Sequence, residues 1–322
     1  MKNVLVTGAG GFLGQQLVHE LARRGVSTRA LMRRAADAPQ FAPGASVHAV
    51  GDLAALTHWD DLLRDVDCVF HLAARAHVLT DAGGKNADAY RINNEVVTAR
   101  LADAAAAAGV SRFVFVSTVK VFGEADRGRS FTAEDEPRPE DPYGVSKLHA
   151  ERAVIEACRR SRMTAAIVRP PLIYGPGVRA NFLRLMRWIH GGVPLPLGAI
   201  DNRRSVISSF NLVDFLCRSA EHDLIGAETL LATDGQDVST PQLIRFLAAA
   251  LGRKARLLPV PAGLLRAAAS LAGRSDEIGR LTNSLTLDIS GSSRRLSWNP
   301  PLSLQEGIQR TVAAYLSSVE RA

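Results

Sequence analysis

Cysteine is scarce in this chain of 322 residues, which holds only Cys68, Cys158 and Cys217. They are far apart and odd in number. That leaves no metal-ligand spacing and no disulfide framework, and it points to a reducing compartment. Long apolar runs are missing too. The most hydrophobic stretches, such as Leu264–Ala272, fall short of the roughly 18 residues that a membrane span requires. The N-terminus enters a strand at Val4 without an apolar leader, so a cytoplasmic location is expected. No long block of like charge appears, and 47% of the residues are hydrophobic, which excludes a disordered chain. A chain of this length buries an ample core without staples.

The charge is one-sided. A formal net charge of +7 admits nucleic acid, a membrane surface or an anionic small molecule as partner. Nucleic acid is disfavoured, because the chain has no zinc-finger spacing, no RNA-binding signature and no basic run beyond short pairs.

Short apolar runs alternate with helical stretches. Strands are expected at Val4–Thr7, Val26–Met32, Ser46–Val50, Asp67–His71, Arg112–Thr118 and Thr164–Arg169. Helices are expected at Phe12–Arg24 and near 53–65, 86–108 and 142–160. This alternation implies βαβ units and a Rossmann-like, doubly wound parallel sheet. Runs such as Phe113–Val116 fit strands buried on both faces. Residues 1–170 therefore read as a dinucleotide-binding domain. Residues 171–322 are richer in Pro and Gly and read as a smaller α/β substrate lobe, with some chain exchange between the two. Helices are expected there near 179–190, 211–222, 239–251 and 303–318.

The first strand runs into Gly8-Ala9-Gly10-Gly11-Phe12-Leu13-Gly14. Gly8, Gly11 and Gly14 form a G-x-x-G-x-x-G turn ahead of an amphipathic helix. Glycine admits unusual backbone angles and lets a pyrophosphate approach the main chain. The helix start supplies unpaired N–H donors and the positive end of a dipole. After the second strand come Arg33 and Arg34, which suit a 2′-phosphate, whereas an acid there would suit a free ribose hydroxyl. NADP(H) is thus favoured over NAD(H). Asp52, followed by Leu53, ends the third strand where an adenine amino group can be bonded.

Tyr143 and Lys147 are four residues apart at a helix start and share one face. A neighbouring ammonium favours the phenolate. The phenol can then exchange a proton with a sugar oxygen near neutral pH. Thr118, at the end of the fifth strand, can hold the same oxygen.

With these motifs the chain resembles the extended short-chain dehydrogenase/reductases of the nucleotide-sugar epimerase/dehydratase group. The matching pieces are the glycine turn, Phe70-His71-Leu72-Ala73-Ala74, Asn93, Ser117-Thr118, Tyr143-x-x-x-Lys147 and Arg169-Pro170-x-x-x-Tyr174-Gly175-Pro176. The resemblance runs on to Leu296-Ser297-Trp298-Asn299-Pro300. It implies Tyr143 as acid/base, Lys147 as holder of the nicotinamide ribose, and Thr118 as the catalytic hydroxyl. It places Phe12, Leu13, Leu72, Ala73, Ala74 and Ser117 at the cofactor, with Pro170 behind the nicotinamide. It also implies a homodimer through the fourth and fifth helices. No metal is implied.

Departures narrow the chemistry. Related 4,6-dehydratases resemble T-D-E-V-Y-G where this chain has Thr118-Val119-Lys120, so the carboxylates for loss of water are missing. Typical UDP-galactose 4-epimerases resemble R-Y-F-N where this chain has Arg169-Pro170-Pro171-Leu172. Lys120 lies in Ser117-x-x-Lys120-Val121-x-Gly123-Glu124, a pattern similar to the O-antigen sugar branch. Lys120, Asn181, Arg204 and Arg280 are the contacts that the resemblance implies for a UDP-sugar, and the guanidinium groups of the two arginines suit phosphate oxygens. The expectation that leads is an NADP(H)-dependent reductase of a UDP-4-keto-6-deoxy-hexosamine, with hydride added at C4. The alternative is an NAD-dependent UDP-hexose or UDP-N-acetylhexosamine 4-epimerase. A non-catalytic cofactor sensor of the same fold would not need Tyr143 and Lys147.

Overall fold

Val4, Leu5 and Val6 are buried on both faces of the first strand, as expected for a strand sandwiched between helix layers. A computed structural model describes residues 1–37, 39, 41–75, 87–271, 273 and 275–320. Among the described residues there are nine strands: β1 (Asn3–Thr7), β2 (Ser27–Met32), β3 (Ala45–Ala49), β4 (Cys68–His71), β5 (Arg112–Val116), β6 (Thr164–Arg169), β7 (Leu172–Tyr174), β8 (Val206–Ser208) and β9 (Ala227–Leu231). Seven form one parallel sheet in the order β3-β2-β1-β4-β5-β6-β9, and β7 pairs with β8. Val6 stands opposite Ala30 on one side and Phe70 on the other.

The order positions the site. The chain winds from β1 outward to β3, then crosses back to lay β4 on the other side of β1. The loops after β1 and β4 therefore diverge and open a crevice at the carboxyl ends of the strands. One apolar layer, including Leu13, Leu17, Phe70, Val114 and Phe215, covers one sheet face. A second, including Leu5, Leu101, Phe113 and Val154, covers the other.

Three sequence expectations change. The seventh strand, β9, comes from within the second half of the chain and pairs with β6. Its sequence Ala-Glu-Thr-Leu-Leu has weak strand character by itself, and burial against β6 decides it. The helix expected over 53–65 shrinks to Asp60–Leu63. The helix expected over 86–108 begins at a position outside the described residues. From Ala87 it runs as three pieces: Ala87–Tyr90, a π-helical turn Arg91–Val96, and Val97–Ala107. Such wide turns recur at functional sites because they re-aim side chains.

The lobe has a core of its own, in which Tyr174, Phe182, Met186, Leu247 and Ile308 meet. Its helices include Ala180–His190, Thr240–Ala250, Ala262–Leu271, Ser275–Thr282 and Leu304–Glu320. Buried Tyr174 ties it together, donating from its hydroxyl to Asp234 at 2.6 Å and to the Leu304 carbonyl at 3.2 Å. Among the described residues no helix is long and apolar enough to cross a membrane.

Candidate active site

The crevice is a cleft of about 720 Å³, within the range of small-molecule sites. The ends of the first four strands contribute to it: Gly8, Gly10 and Gly11 after β1, Arg33 and Arg34 after β2, Gly51, Asp52 and Leu53 after β3, and Leu72 to Arg75 after β4, whereas Thr118, Tyr143 and Lys147 are not part of its lining. Asn93 and Arg179 complete the wall. Nine of the residues expected at the cofactor thus converge on one cavity.

Two glycines explain the turn. Gly8 has φ +69°, and a Cβ there would sit 2.8 Å from the Ala73 nitrogen. Only glycine lets the turn lie against the β4 loop in that conformation. A Cβ on Gly14 would sit 2.1 Å from the Gly8 carbonyl oxygen, so Gly14 serves the close packing of helix on turn. The helix Phe12–Arg23 starts from the cleft residue Gly11, and a helix start next to a cleft is the arrangement that receives a phosphate. The cleft fits a dinucleotide: a glycine cradle at a helix start for the pyrophosphate, and basic and polar groups at the strand ends for the adenosine half.

Other expected cofactor residues lie elsewhere. Phe12 packs against the lobe core, and its ring would be 3.5 Å from a Cβ on Gly175. Leu13 belongs to the apolar layer under the sheet. Apolar side chains in the first helical turn bury rather than face a polar cleft, so only their backbone remains for a cofactor. The Ser117 hydroxyl turns inward and donates to Glu151 at 2.5 Å. Pro170 is buried, and its carbonyl accepts from the Val119 N–H at 3.0 Å.

The helix Pro142–Arg159 carries Tyr143 and Lys147. Asp141 caps it, accepting from the Gly144 N–H at 2.6 Å, and Pro142 occupies the first turn, a pattern that fixes a helix start. Tyr143 lies 5.9 Å from the Tyr90 ring. Lys147 is 1% exposed, donates to the Val116 carbonyl at 2.7 Å and stands 4.0 Å from the centre of the Phe115 ring. Thr118 caps the short turn Val119–Val121, its hydroxyl oxygen accepting from the Lys120 N–H at 3.3 Å.

The electrostatics correct one expectation. Burial, reinforced by the Asp141 carboxylate and by Tyr90, pushes the Tyr143 phenol up from its usual value, where the sequence suggested a depressed one. Lys147 is shifted by burial as well. Burial pushes its ammonium down to about 7, against the opposing pull of Glu151, so near neutral pH much of its charge is missing. A stability consequence follows. Lys147 falls from an ordinary 10.5 to about 7 on folding. Between those values the unfolded chain binds the extra proton, so its contribution to stability rises with pH across that window. Lys147→Met is expected to raise the melting temperature of the cofactor-free protein most near pH 6–7, with the gain vanishing towards about pH 10. Thermal melts over that range check this, and a gain independent of pH would contradict it.

Several contributors were not singled out from sequence. Glu151 is buried four residues beyond Lys147 and accepts from Arg169 at 3.0 and 2.6 Å. The i, i+4, i+8 spacing of Tyr143, Lys147 and Glu151 was the signal for it. Asn94, beside the expected Asn93, bonds both the N–H and the carbonyl of Arg75 and reaches the Ser146 hydroxyl at 3.0 Å. It ties the cleft wall to the Tyr143 helix. His71 is fully buried, and burial first, then Lys147, pushes it down to about 3. It is therefore neutral. Thr98 donates to the Asn94 carbonyl at 2.5 Å and accepts from His71 Nε2–H at 2.8 Å. Thr7 accepts from the Ala73 N–H at 3.2 Å and donates to His71 Nδ1 at 2.6 Å. The only arrangement that satisfies this chain is the Nε2–H tautomer.

The expected substrate residues divide. Lys120 is held by both Glu124 and Asp141. Arg280 approaches Glu124 at 3.9 Å, and its Nε is a buried donor without a hydrogen-bond acceptor. Arg204 donates to the Asn283 carbonyl at 3.0 Å, and burial pushes its guanidinium down. These three cations share one acidic neighbourhood. Asn181 is apart from them and exposed, at the start of the helix Ala180–His190, next to the cleft residue Arg179.

Known proteins share this architecture. Residues 4–229 match the family described as NAD dependent epimerase/dehydratase. The chain is 39% identical over 99% of its length to a UDP-glucose 4-epimerase of Vibrio cholerae, of which it covers 97%. It is 31% identical over 83% of its length to a 4-hydroxy-2-methyl-3-oxo-4-farnesyl-3,4-dihydroquinoline-1-oxide ketoreductase of Stigmatella aurantiaca, covering 78% of that protein. The solved structure of MoeE5 in complex with UDP-glucuronic acid and NAD superposes with TM-score 0.78 at 29% identity, covering 98% of this chain and 99% of that one. From its nucleotide turn to its Tyr-x-x-x-Lys helix, the chain belongs to the NAD dependent epimerase/dehydratase family and is an NAD(P)-dependent enzyme of the extended short-chain dehydrogenase/reductase group.

Proposed function

We propose that the protein interconverts C4 epimers of a UDP-linked hexose or N-acetylhexosamine with NAD held in the cleft. The observation that carries this reading is the state of the acids near Tyr143. Glu124 and Asp141 are both held by Lys120. Burial pushes the Asp141 carboxyl up, but hydrogen bonds from Lys120 and the Gly144 N–H outweigh it and leave it below the ordinary range. Such tied carboxylates cannot serve elimination of water, whereas a phenol and a threonine hydroxyl serve oxidation and reduction of a carbinol. Between epimerase and reductase, the 39% identity across nearly the whole Vibrio cholerae epimerase supports the epimerase, the alternative in the reading of the sequence motifs.

Gly8, Gly11 and the helix start would hold the pyrophosphate, Asp52 the adenine side, and Leu72 to Ala74 the middle of the dinucleotide. When bound, an oxidised nicotinamide would supply a hydride acceptor for sugar C4 and a positive charge that favours the Tyr143 phenolate. Tyr143 takes the C4 hydroxyl proton in the first half and gives it back in the second. Thr118, its oxygen already accepting from Lys120 N–H, donates its own hydrogen to the sugar oxygen. Arg204 and Arg280 face the diphosphate. Purified protein is expected to interconvert UDP-glucose and UDP-galactose, or their N-acetyl forms, without added cofactor. No interconversion, together with consumption of NADPH on a UDP-4-keto-6-deoxy-hexosamine, would overturn it.

The reductase is favoured by one observation: Arg33 and Arg34 both line the cleft where a 2′-phosphate would lie. If that pair reads a phosphate, Arg33→Asp with Arg34→Ala is expected to weaken NADPH binding by at least about tenfold while sparing NADH, as loss of charge-assisted bonds implies. Fluorescence titration with both cofactors checks it. Equal losses for the two would remove the arginines from 2′-phosphate recognition.

A further inference from the structure

The lobe helix Ala262–Leu271 is apolar on two sides. Ala262 and Leu265 pack against the lobe core, and Ala269 is buried. These positions are spaced as one helix face. Leu264 and Leu271, seven residues apart on another face, are 64% and 92% exposed. A surface helix ordinarily turns charge outward, so this outer face has no folding reason to be leucine.

More exposed apolar side chains lie outside the helix. Leu258, just before it, and Val193 are also exposed. The two segments that carry them are joined: Leu195 pairs with Leu257, and Arg256 donates to the Gly192 carbonyl at 3.2 Å. Exposed leucines scattered singly mean little, but a contiguous apolar surface marks an interaction site.

Its charge says what kind. Residues 238–275 contain Arg245, Arg253, Lys254, Arg256, Arg266 and Arg274 and not one Asp or Glu. Residues 171–200, which supply Val193, also lack any acid while carrying Arg179, Arg184 and Arg187. Arg253, Lys254, Arg256 and Arg266 are exposed. The net charge of +7 is therefore concentrated on the lobe. Apolar side chains rimmed by Lys and Arg match the interface of an anionic bilayer, where the leucines enter the acyl boundary and the cations meet the phosphates.

We propose that this face of the lobe docks the enzyme on an anionic phospholipid surface, with Leu264 and Leu271 inserted and Arg253, Lys254 and Arg256 on the headgroups. This is independent of which sugar reaction the cleft performs. The test is flotation of the full-length protein with phosphatidylglycerol-containing vesicles and with pure phosphatidylcholine vesicles. Binding is expected to the anionic vesicles alone and to weaken as salt is raised. Leu264→Asp with Leu271→Asp is expected to lower the bound fraction by about tenfold or more, as burial of two large apolar side chains implies. Arg253→Glu with Lys254→Glu is expected to lower it likewise. All of these positions are exposed, so circular dichroism and turnover of the soluble substrate are expected to match the parent. No flotation, equal flotation on both vesicle types, or leucine variants that float like the parent would each overturn the proposal. So would sedimentation showing that the leucine variants dissociate an oligomer, which would assign this face to a second copy of the chain.

Discussion

Tyr143→Phe is expected to lower kcat by about 10²–10⁴, the usual worth of a positioned acid/base group. Loss of the phenol oxygen removes the group proposed to carry the C4 proton. Cofactor affinity is expected to stay within about twofold, because the cleft is lined by other residues and the Tyr143 ring remains against Tyr90. Steady-state kinetics with the sugar nucleotide and a binding titration separate the two effects. Turnover near that of the parent would remove Tyr143 from the mechanism. The pH profile adds a second reading. The phenol is pushed up by burial and by Asp141, so Asp141→Asn should ease its ionisation and shift the alkaline rise of activity to lower pH. An unmoved profile would show that the carboxylate does not act on the phenol.

Glu151→Ala is expected to destabilise the protein by about 3–5 kcal/mol, the usual cost of leaving one member of a buried ion pair alone. Arg169 and Glu151 have side-chain exposures of 6% and 2%. Two hydrogen bonds join them, and Ser117 adds a third to the carboxylate. Removing the acid strands a guanidinium whose Nη1 is already buried without a partner. It also withdraws the carboxylate that pulls the Lys147 ammonium upward. The double change Glu151→Met with Arg169→Met should recover most of the loss, because well-packed apolar pairs often replace buried ion pairs at little cost. Denaturant midpoints for the three proteins check this. A loss below about 1 kcal/mol would mean that water or a rearrangement already relieves the charge, as at exposed pairs.

Much of this was legible in the sequence because it depends on short-range spacing. Gly8, Gly11 and Gly14 sit between a strand and a helix, and a turn at that junction has few conformations. Tyr143 and Lys147 are four apart in a helix whose Asp-Pro start is itself written locally. The residues ending β1 to β4 were found because a parallel sheet always presents its carboxyl ends on one side. Less legible were the residues whose direction depends on what packs above them. Phe12 and Leu13 look like cofactor contacts by position, yet the lobe and the sheet each claim one. Ser117 turns to Glu151 only because β5 and the Tyr143 helix lie side by side.

The sequence by itself determined the nucleotide turn, the strand-and-helix alternation and the pairing of Tyr143 with Lys147, since each is settled by backbone sterics and periodicity over a few residues. Tertiary structure alone decided the protonation of that pair. Lys147 owes its near-neutral value, and Tyr143 its raised one, to desolvation, which depends on the water excluded by β5, Phe115 and Tyr90. It also decided that β9, from the second half of the chain, closes the sheet, and that two leucines of the lobe face outward among arginines. Burial is a property of the assembled chain, and no spacing of residues states it in advance.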